Sequence, residues 1–394
     1  MKKIFIALIF FISTNSFAQI ELVKDTTAVI PGIYNLQPLP FISSNPAFGV
    51  MFGLSLSSNF RFTSEQETKI STANLTTTYT TLKQLMFNFK SNVFTPGDNW
   101  SLIGDWRFYI TSQPTYGLGT GSSKDAENTL WNEEQPMEFN LIRIHELAST
   151  QIFNNVFAGF GIYYDRYTSI NDQALNLEEG IKTSHYLYNS QYGFNLENTQ
   201  SLAFALSMSY DSRDLPTNPS KGHYANLTYK FYSDFLGNRF TSGNISMDFR
   251  EFVPLSKENK NVLAFWFLGS FMTHGRLPYM NLSALGWDQK GTSGRGYKQG
   301  RYRGEDYMYA EAEFRLNLPI QKKHPDRWGV VFFGNVSTTS SDMDDIRLFE
   351  GYAPGYGAGL RLMLKEITRS NLTIDYGRGI NGQGGVYINY NEFF

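Results

Sequence analysis

The sequence contains no cysteine among its 394 residues. Disulfides, cysteine-based metal sites and a lipidated N-terminal cysteine are therefore excluded. It also lacks a surplus of charge. The net value is −2 and the isoelectric point about 6.2, so nothing in the global balance points to a nucleic-acid partner. No apolar run approaches the roughly 20 positions of a membrane-spanning helix. No Gly-x-Ser-x-Gly elbow occurs, and no serine is marked as the partner of a histidine at a membrane surface, as an outer-membrane phospholipase would need. His145, His185, His223, His274 and His324 lie far apart and show no ligand spacing. The chain reads as a non-enzyme with no cofactor and no metal.

What is present is aromatic. Phe, Tyr and Trp supply 16% of the residues, yet the mean hydropathy is only −0.32. Helical spans would raise that average, whereas a barrel strand shows one apolar face to lipid and one polar face to the lumen. Residues 1–18 read as a cleaved signal peptide: Lys2 and Lys3, an apolar run over 4–12, then Ser16-Phe17-Ala18 with small residues at both cleavage-determining positions. An exported membrane protein without spanning helices must be a barrel. Residues 19–46 hold Pro31, Pro38, Pro40 and Pro46 and read as a loosely held lead-in to a barrel over 47–394.

From residue 48 onward the dominant signal is period two. Leu202, Phe204, Leu206, Met208 and Tyr210 fall on one face, with Ala203, Ala205, Ser207 and Ser209 on the other. Met308, Ala310, Ala312, Phe314 and Leu316 likewise oppose Glu311, Glu313 and Arg315, and Tyr356, Ala358, Leu360 and Leu362 oppose Gly357, Gly359 and Arg361. Large apolar residues on one face and small or charged ones on the other make a lipid/lumen division, the reverse of a soluble sandwich. The pattern predicts an all-β, transmembrane antiparallel β-barrel of about 16 strands with an inward-folded loop. The predicted first and last strands are 48–59 and 386–394, the seventh is 184–196, and 307–318 is the twelfth. Residues 111–136 make an unusually long connection on the nominally short-turn side.

The stretch 291–304, Gly-Thr-Ser-Gly-Arg-Gly-Tyr-Lys-Gln-Gly-Arg-Tyr-Arg-Gly, is too glycine-rich for a helix and too basic for lipid. It can go into solvent or back into the lumen. A phosphate cradle would need a helix after it, and a strand pattern follows instead. Arg295 offers five donors in a planar fork, Gly294 and Gly296 permit a sharp turn, and the inward Glu311 and Glu313, on the very next strand, are the nearest candidates for a partner. Asp211-Ser212-Arg213-Asp214 with Pro219-Ser220-Lys221-Gly222 reads as charge clustering where a strand leaves the membrane. Val386, Ile388, Tyr390 and Phe394 are assigned one outward face, with Glu392 out of character among them.

Four ordered motifs together resemble those of the BamA/TamA superfamily, the bacterial surface antigen barrels. Arg295-Gly296-Tyr297 looks like the Arg-Gly-aromatic tip of that family's inward-folded sixth loop. Asp211, Arg213, Asp214 and Gly222 look like its strand-end and turn signature. Tyr356–Arg361 with 371–377 looks like its closing strands, and Ile388, Tyr390 and Phe394 look like the C-terminal signal for barrel assembly. The resemblance implies sixteen strands, with the loop between the eleventh and twelfth. It implies that Arg295, Gly296 and Tyr297 lock the loop against Glu311 and Glu313. The family's usual aspartate on the thirteenth strand aligns with Phe332. The implied location is the outer membrane, in contact with its lipid. The implied function is assembly, insertion or translocation of proteins there, through a lateral seam between first and last strands at which a client strand adds to an exposed edge. Gly49, Gly53, Gly382, Gly384 and Gly385 should weaken that join. Residues 20–46 leave no room for a POTRA repeat, so the barrel would work with a separate periplasmic partner, serve a narrow set of client outer-membrane proteins, or have lost the transport role. The competing expectation is a structural or surface-interaction barrel, a subunit of a larger outer-membrane complex or a passive pore, without transport activity.

Overall fold

The computed structural model describes residues 35–45, 48–62, 68, 70–122, 130–215, 218–256, 260–288, 291–365 and 369–394. The signal-peptide reading and the first part of the lead-in, 19–34, lie outside them. Sixteen strands pair in chain order into one antiparallel, nearly closed barrel. They begin with β1 (Asn35–Asn45), β2 (Gly49–Phe60), β3 (Ser71–Thr80), β4 (Leu85–Phe94), β5 (Trp100–Ser112), β6 (Met137–Phe153), β7 (Val156–Asp172) and β8 (Thr199–Asp211). After β9 (Gly222–Tyr232), β10 (Ser242–Pro254) and β11 (Val262–His274), a two-residue ladder of β12 (Ser283–Ala284) and β13 (Arg303–Gly304) braces the inward loop. The barrel then resumes with β14 (Tyr307–Leu318), β15 (Trp328–Thr339), β16 (Ala353–Lys365), β17 (Ser370–Gly379) and β18 (Gly384–Tyr390).

Alternation makes the wall. Leu206 is 65% and Met208 54% exposed while Ala203 and Ala205 are buried, so the larger residue of each pair faces outward. On β14, Glu311, Glu313 and Arg315 are buried and Phe314 is exposed.

Two differences from the sequence reading cancel in the strand count. Residues 35–45, assigned to the lead-in, form β1 despite Pro38 and Pro40, because an edge strand tolerates prolines whose nitrogens face away from its neighbour. Residues 184–196, assigned as the seventh strand, contain instead the helix α1 (Ser184–Tyr192). Thr183 caps it by accepting from the Tyr186 amide, and Gly193, at φ +66°, closes it in the left-handed region. The added strand also moves 113–136 to the long-loop end of the barrel, together with 173–198, 275–306 and 340–352. That resolves the anomalous long connection.

These long loops fold into the lumen rather than away from it. Leu118, Met137, Tyr167, Tyr188, Tyr279 and Leu282 belong to one buried apolar cluster there. Beneath it, on the side of β3–β11, a polar cavity of about 570 Å³ remains, lined by Lys90, Asp105, Arg143, Asp165 and Arg250 among others.

If the large-residue face meets lipid, Leu206→Arg should cost about 2–4 kcal/mol of folding stability in vesicles, whereas Ser209→Arg on the inner face should cost much less. Urea titrations of refolding into phospholipid vesicles measure both, and equal penalties would contradict the lipid/lumen assignment.

Candidate functional site

The loop between β11 and β14 turns at Gly294 and Gly296, with φ of +84° and +106°. Neither position admits a side chain. A Cβ on Gly294 would lie 2.3 Å from Leu285 Cγ, and one on Gly296 would lie 2.8 Å from the Arg378 carbonyl carbon. The wall beneath is equally bare. A Cβ on Gly377 would come within 2.6 Å of the Gly296 amide nitrogen, and one on Gly355 within 2.9 Å of the Arg295 carbonyl oxygen. The tip therefore lies directly on the backbone of β16 and β17, at a distance only glycine allows.

That approach delivers the Arg295 guanidinium, which is 1% exposed, to a cage of carboxylates. Its Nη2 donates to Glu311 and Glu313, and its Nη1 donates to Asp375 on β17. Two rings cover its faces, Phe333 at 3.7 Å and Phe393 at 4.2 Å from Cζ. The carboxylates are held in turn by other cations. Arg315 Nε donates to Glu313 at 2.7 Å, and Arg361 bonds both Asp375 and, at 2.8 Å, Glu392. Asn335 donates to the Arg295 carbonyl at 3.0 Å and to Glu311 at 3.2 Å. The neighbouring tip residues are tied as well. The Gly296 amide donates to the Tyr387 hydroxyl, which donates to the Tyr297 carbonyl, both at 2.9 Å. Tyr297 donates its own hydroxyl to the Pro354 carbonyl.

The sequence reading names Arg295, Gly296, Tyr297, Glu311 and Glu313, and the structure brings all five together. It adds Asp375, Phe333, Asn335 and Tyr387, which sequence reasoning missed. Asp375 carried a signal, since it stands on the inward face of its strand opposite Gly359. Phe332, taken as the replacement for an inward aspartate, is 53% exposed. Its neighbour Phe333 faces the lumen, a one-residue shift that reverses faces in any strand.

The C-terminal assignment needs a correction. Tyr390 is exposed and Ile388 half-buried, but Phe394 is fully buried. The chain leaves the sheet after β18, and Phe394 stacks on Trp266 at 5.1 Å, 27° from parallel. Glu392 is buried too, where it accepts from Arg361 and Asn371. Its charge suits a lumen and not a lipid face.

The strand-end residues form a separate cluster at the short-turn end. Arg213 grips Asp211 with two bonds of 2.8 Å. Asp214 accepts from the Ser220 amide and hydroxyl and from Arg369, at 2.9, 2.6 and 2.7 Å. Gly222 has φ +99°, and a Cβ there would lie 2.3 Å from the Ser212 carbonyl oxygen. The Asp214–Arg369 pair thereby ties the β8–β9 turn to the β16–β17 turn.

Across the seam, β1 and β18 share no ladder among the described residues, since strand pairing ends with each of them. A hydrogen bond from the Ser43 hydroxyl to the Ile388 carbonyl joins them. The seam placed by sequence at 48–59 is thus formed by 35–45 instead.

With this geometry in view, comparison with known proteins is direct. A family profile described as "Omp85 superfamily domain" matches residues 47–386. No curated protein matches the sequence. Among solved structures, BamA from Haemophilus ducreyi lacking POTRA domains 1–3 aligns at 13% identity with a TM-score of 0.57, covering 91% of this chain and 69% of that one. CdiB from Acinetobacter baumannii aligns at 14% and 0.57, covering 91% and 59%. CdiB from Escherichia coli aligns at 11% and 0.56, covering 92% and 68%. The chain therefore spans less than two thirds of the Acinetobacter protein, and at these identities the likeness is one of fold.

Two predictions follow from the cage and its surroundings. Arg295→Ala leaves three buried carboxylates without their shared cation and should cost about 3–5 kcal/mol. Gly377→Ala should loosen the same tip by contact with Gly296. Guanidinium unfolding in detergent and protease cutting within 291–304 measure both. Separately, burial pushes the Glu305 carboxyl, in the loop just before β14, up to about 7. Arg276 stands 3.6 Å away, and Asp342 adds a like charge. The folded state holds this proton more tightly than the unfolded one. Stability should therefore fall as pH rises from about 4.5 to about 7, by on the order of 3 kcal/mol. Thermal unfolding at pH 5 and pH 8 should show the drop in the wild type and a smaller one in Glu305→Gln.

Proposed function

The chain belongs to the Omp85 superfamily, and on that premise we propose that it takes part in assembling, inserting or translocating proteins at the outer membrane, through the seam between β1 and β18. The observation that carries this reading is the unladdered join. Every other neighbouring pair of barrel strands shares an antiparallel ladder, while among the described residues these two meet at a side-chain bond from Ser43. A strand edge left unpaired at membrane depth is costly and is a template for any extended chain that arrives. Main-chain pairing of that kind does not depend on the sequence of the client.

In this reading the loop is the fixed part. Arg295 and its carboxylates hold the tip against β14, β16 and β17, so the wall on that side of the seam stays in register while the join opens. Outer-membrane proteins are the clients, and a separate periplasmic partner is a candidate to deliver them. One observation favours a second reading, a plugged scaffold in a larger complex: the long loops fill much of the lumen with a packed apolar cluster. A scaffold would leave other outer-membrane proteins at normal levels when the chain is depleted, and an assembly component would not.

The direct test uses cysteines, of which the chain has none of its own. Ser44→Cys with Val386→Cys places a pair across the seam. The reporter is folding of a urea-unfolded eight-stranded outer-membrane barrel into liposomes that contain the protein. The oxidised pair should reduce its folding rate to that of empty liposomes, and a reductant should restore it. A locked seam that leaves the acceleration intact would remove the seam from the mechanism.

A further inference from the structure

The outward wall of β4, β5 and β6 holds a carboxyl among apolar side chains. His145 on β6 bonds Asp165 inside the barrel at 3.0 Å, so Glu146, the next residue, faces outward. Leu102, Trp106, Phe108, Phe160 and Ile162 are exposed around it. Glu146 pairs with Gly104 on β5, four residues in from Trp100, an exposed aromatic at the short-turn edge of the wall. At about 3.4 Å per residue and a tilt of about 40°, that places Glu146 about 10 Å inside the edge of an apolar band about 25 Å tall. It stands near mid-depth, where a charged group is costly and rarely lacks a partner.

The chain supplies little to offset that cost. The Trp106 indole donates to Glu146 Oε1 at 2.6 Å, and among the described residues this is the side chain's one hydrogen bond or ion pair. The carboxyl lies over bare backbone: a Cβ on Gly104 would sit 3.0 Å from Oε1 and 2.7 Å from the Ser91 hydroxyl oxygen. Glu251 on β10 makes the contrast. It faces outward too, but it stands near the short-turn end and bonds His223. Ionised, Glu146 lacks a countercharge; protonated, it carries a hydroxyl without an acceptor. Hydrocarbon provides neither.

The complement must come from another molecule in the bilayer. A second copy of this chain would lie at the same depth and in the same orientation. Its outward-facing basic residues on strands, Arg166 and Arg378 among the described ones, are out of reach of that level. Arg166 stands four residues nearer the long-loop end than Ile162, the neighbour of Glu146 on β7, and Arg378 stands at the long-loop end of β17. We propose that the outward face of β4, β5 and β6 docks a different membrane-spanning polypeptide, one that sets a lysine or arginine against Glu146 at mid-depth. Trp106 holds the carboxyl in place, and the small residues Ser91 and Gly104 keep one side of it open to the incoming cation. This face is separate from β1 and β18, so the inference does not rest on the assembly reading.

A membrane-spanning helix of leucine and alanine with one central lysine serves as probe, beside the same helix with leucine at that position. Both carry a dansyl group, and energy transfer from the protein's tryptophans reports binding in phospholipid vesicles at pH 8. The lysine helix should bind the wild type about tenfold more tightly than the leucine helix. Glu146→Gln should remove that difference. Glu138→Gln, outward on the same strand but at its long-loop end, should keep it. Without the probe, Glu146→Gln should raise the urea midpoint, because the amide still accepts from Trp106 and carries no charge. Equal binding of the two helices, a Glu146→Gln variant that still prefers lysine, or a urea midpoint that fails to rise would each overturn the docking site. The last of these would leave Glu146 as a structural acceptor for Trp106 alone.

Discussion

The structure depends on one cation held out of water. Arg295 is almost wholly enclosed, and a lone guanidinium there would carry a large desolvation cost. Glu311, Glu313 and Asp375 offset it, and each of these carboxylates needs a counter-charge of its own once Arg295 has been shared three ways. Arg315 supplies it to Glu313 and Arg361 to Asp375, with the pairing extended to Glu392, while Glu311 accepts instead from the Tyr309 hydroxyl and the Asn335 amide. The result is a nearly neutral network spanning the loop, three wall strands and the segment after β18. Such a network contributes little net stability compared with apolar packing, but its ion pairs form together in one geometry only. It specifies where the loop lies.

Glycine makes that geometry reachable. The loop tip sits on strands whose inward positions at 355, 357, 359 and 377 carry no side chain, so the guanidinium reaches its carboxylates from close range. Moving the tip outward by the width of a methyl group would lengthen all three ion pairs at once. The bare wall and the buried arginine are therefore two halves of one arrangement. The aromatic residues fit the same logic: Phe333 and Phe393 cover the faces of the guanidinium that the carboxylates leave open.

Much of this was legible in the chain, and the misses have physical causes. Alternation reveals which face of a strand is wet, so Glu311 and Glu313 could be placed inside from pattern alone. Asp375 sits on the same kind of pattern, but it is eighty residues from Arg295, and only the closing of the barrel brings the two together. Phe394 was misplaced because period two was carried past the point where the strand ends; Asn391 has φ +70°, and alternation has no meaning beyond such a turn. The α1 helix was hidden by its mixture of aromatic and polar residues, although Thr183 and Gly193 mark its ends. β1 was set aside for its prolines, which exclude a central strand and not an edge.

That last misreading bears on how the barrel works. Prolines in a strand are evidence about its neighbours, since they show which side needs no donors. A closed cylinder of identical joins would give every strand two full ladders and no reason to open anywhere. Here, among the described residues, β1 forms its ladder with β2 alone, while β18 forms one with β17 and is tied through Tyr387 to the loop tip at Gly296 and Tyr297. On the proposed reading, opening the join would break no ladder and leave the ion pairs around Arg295 in place.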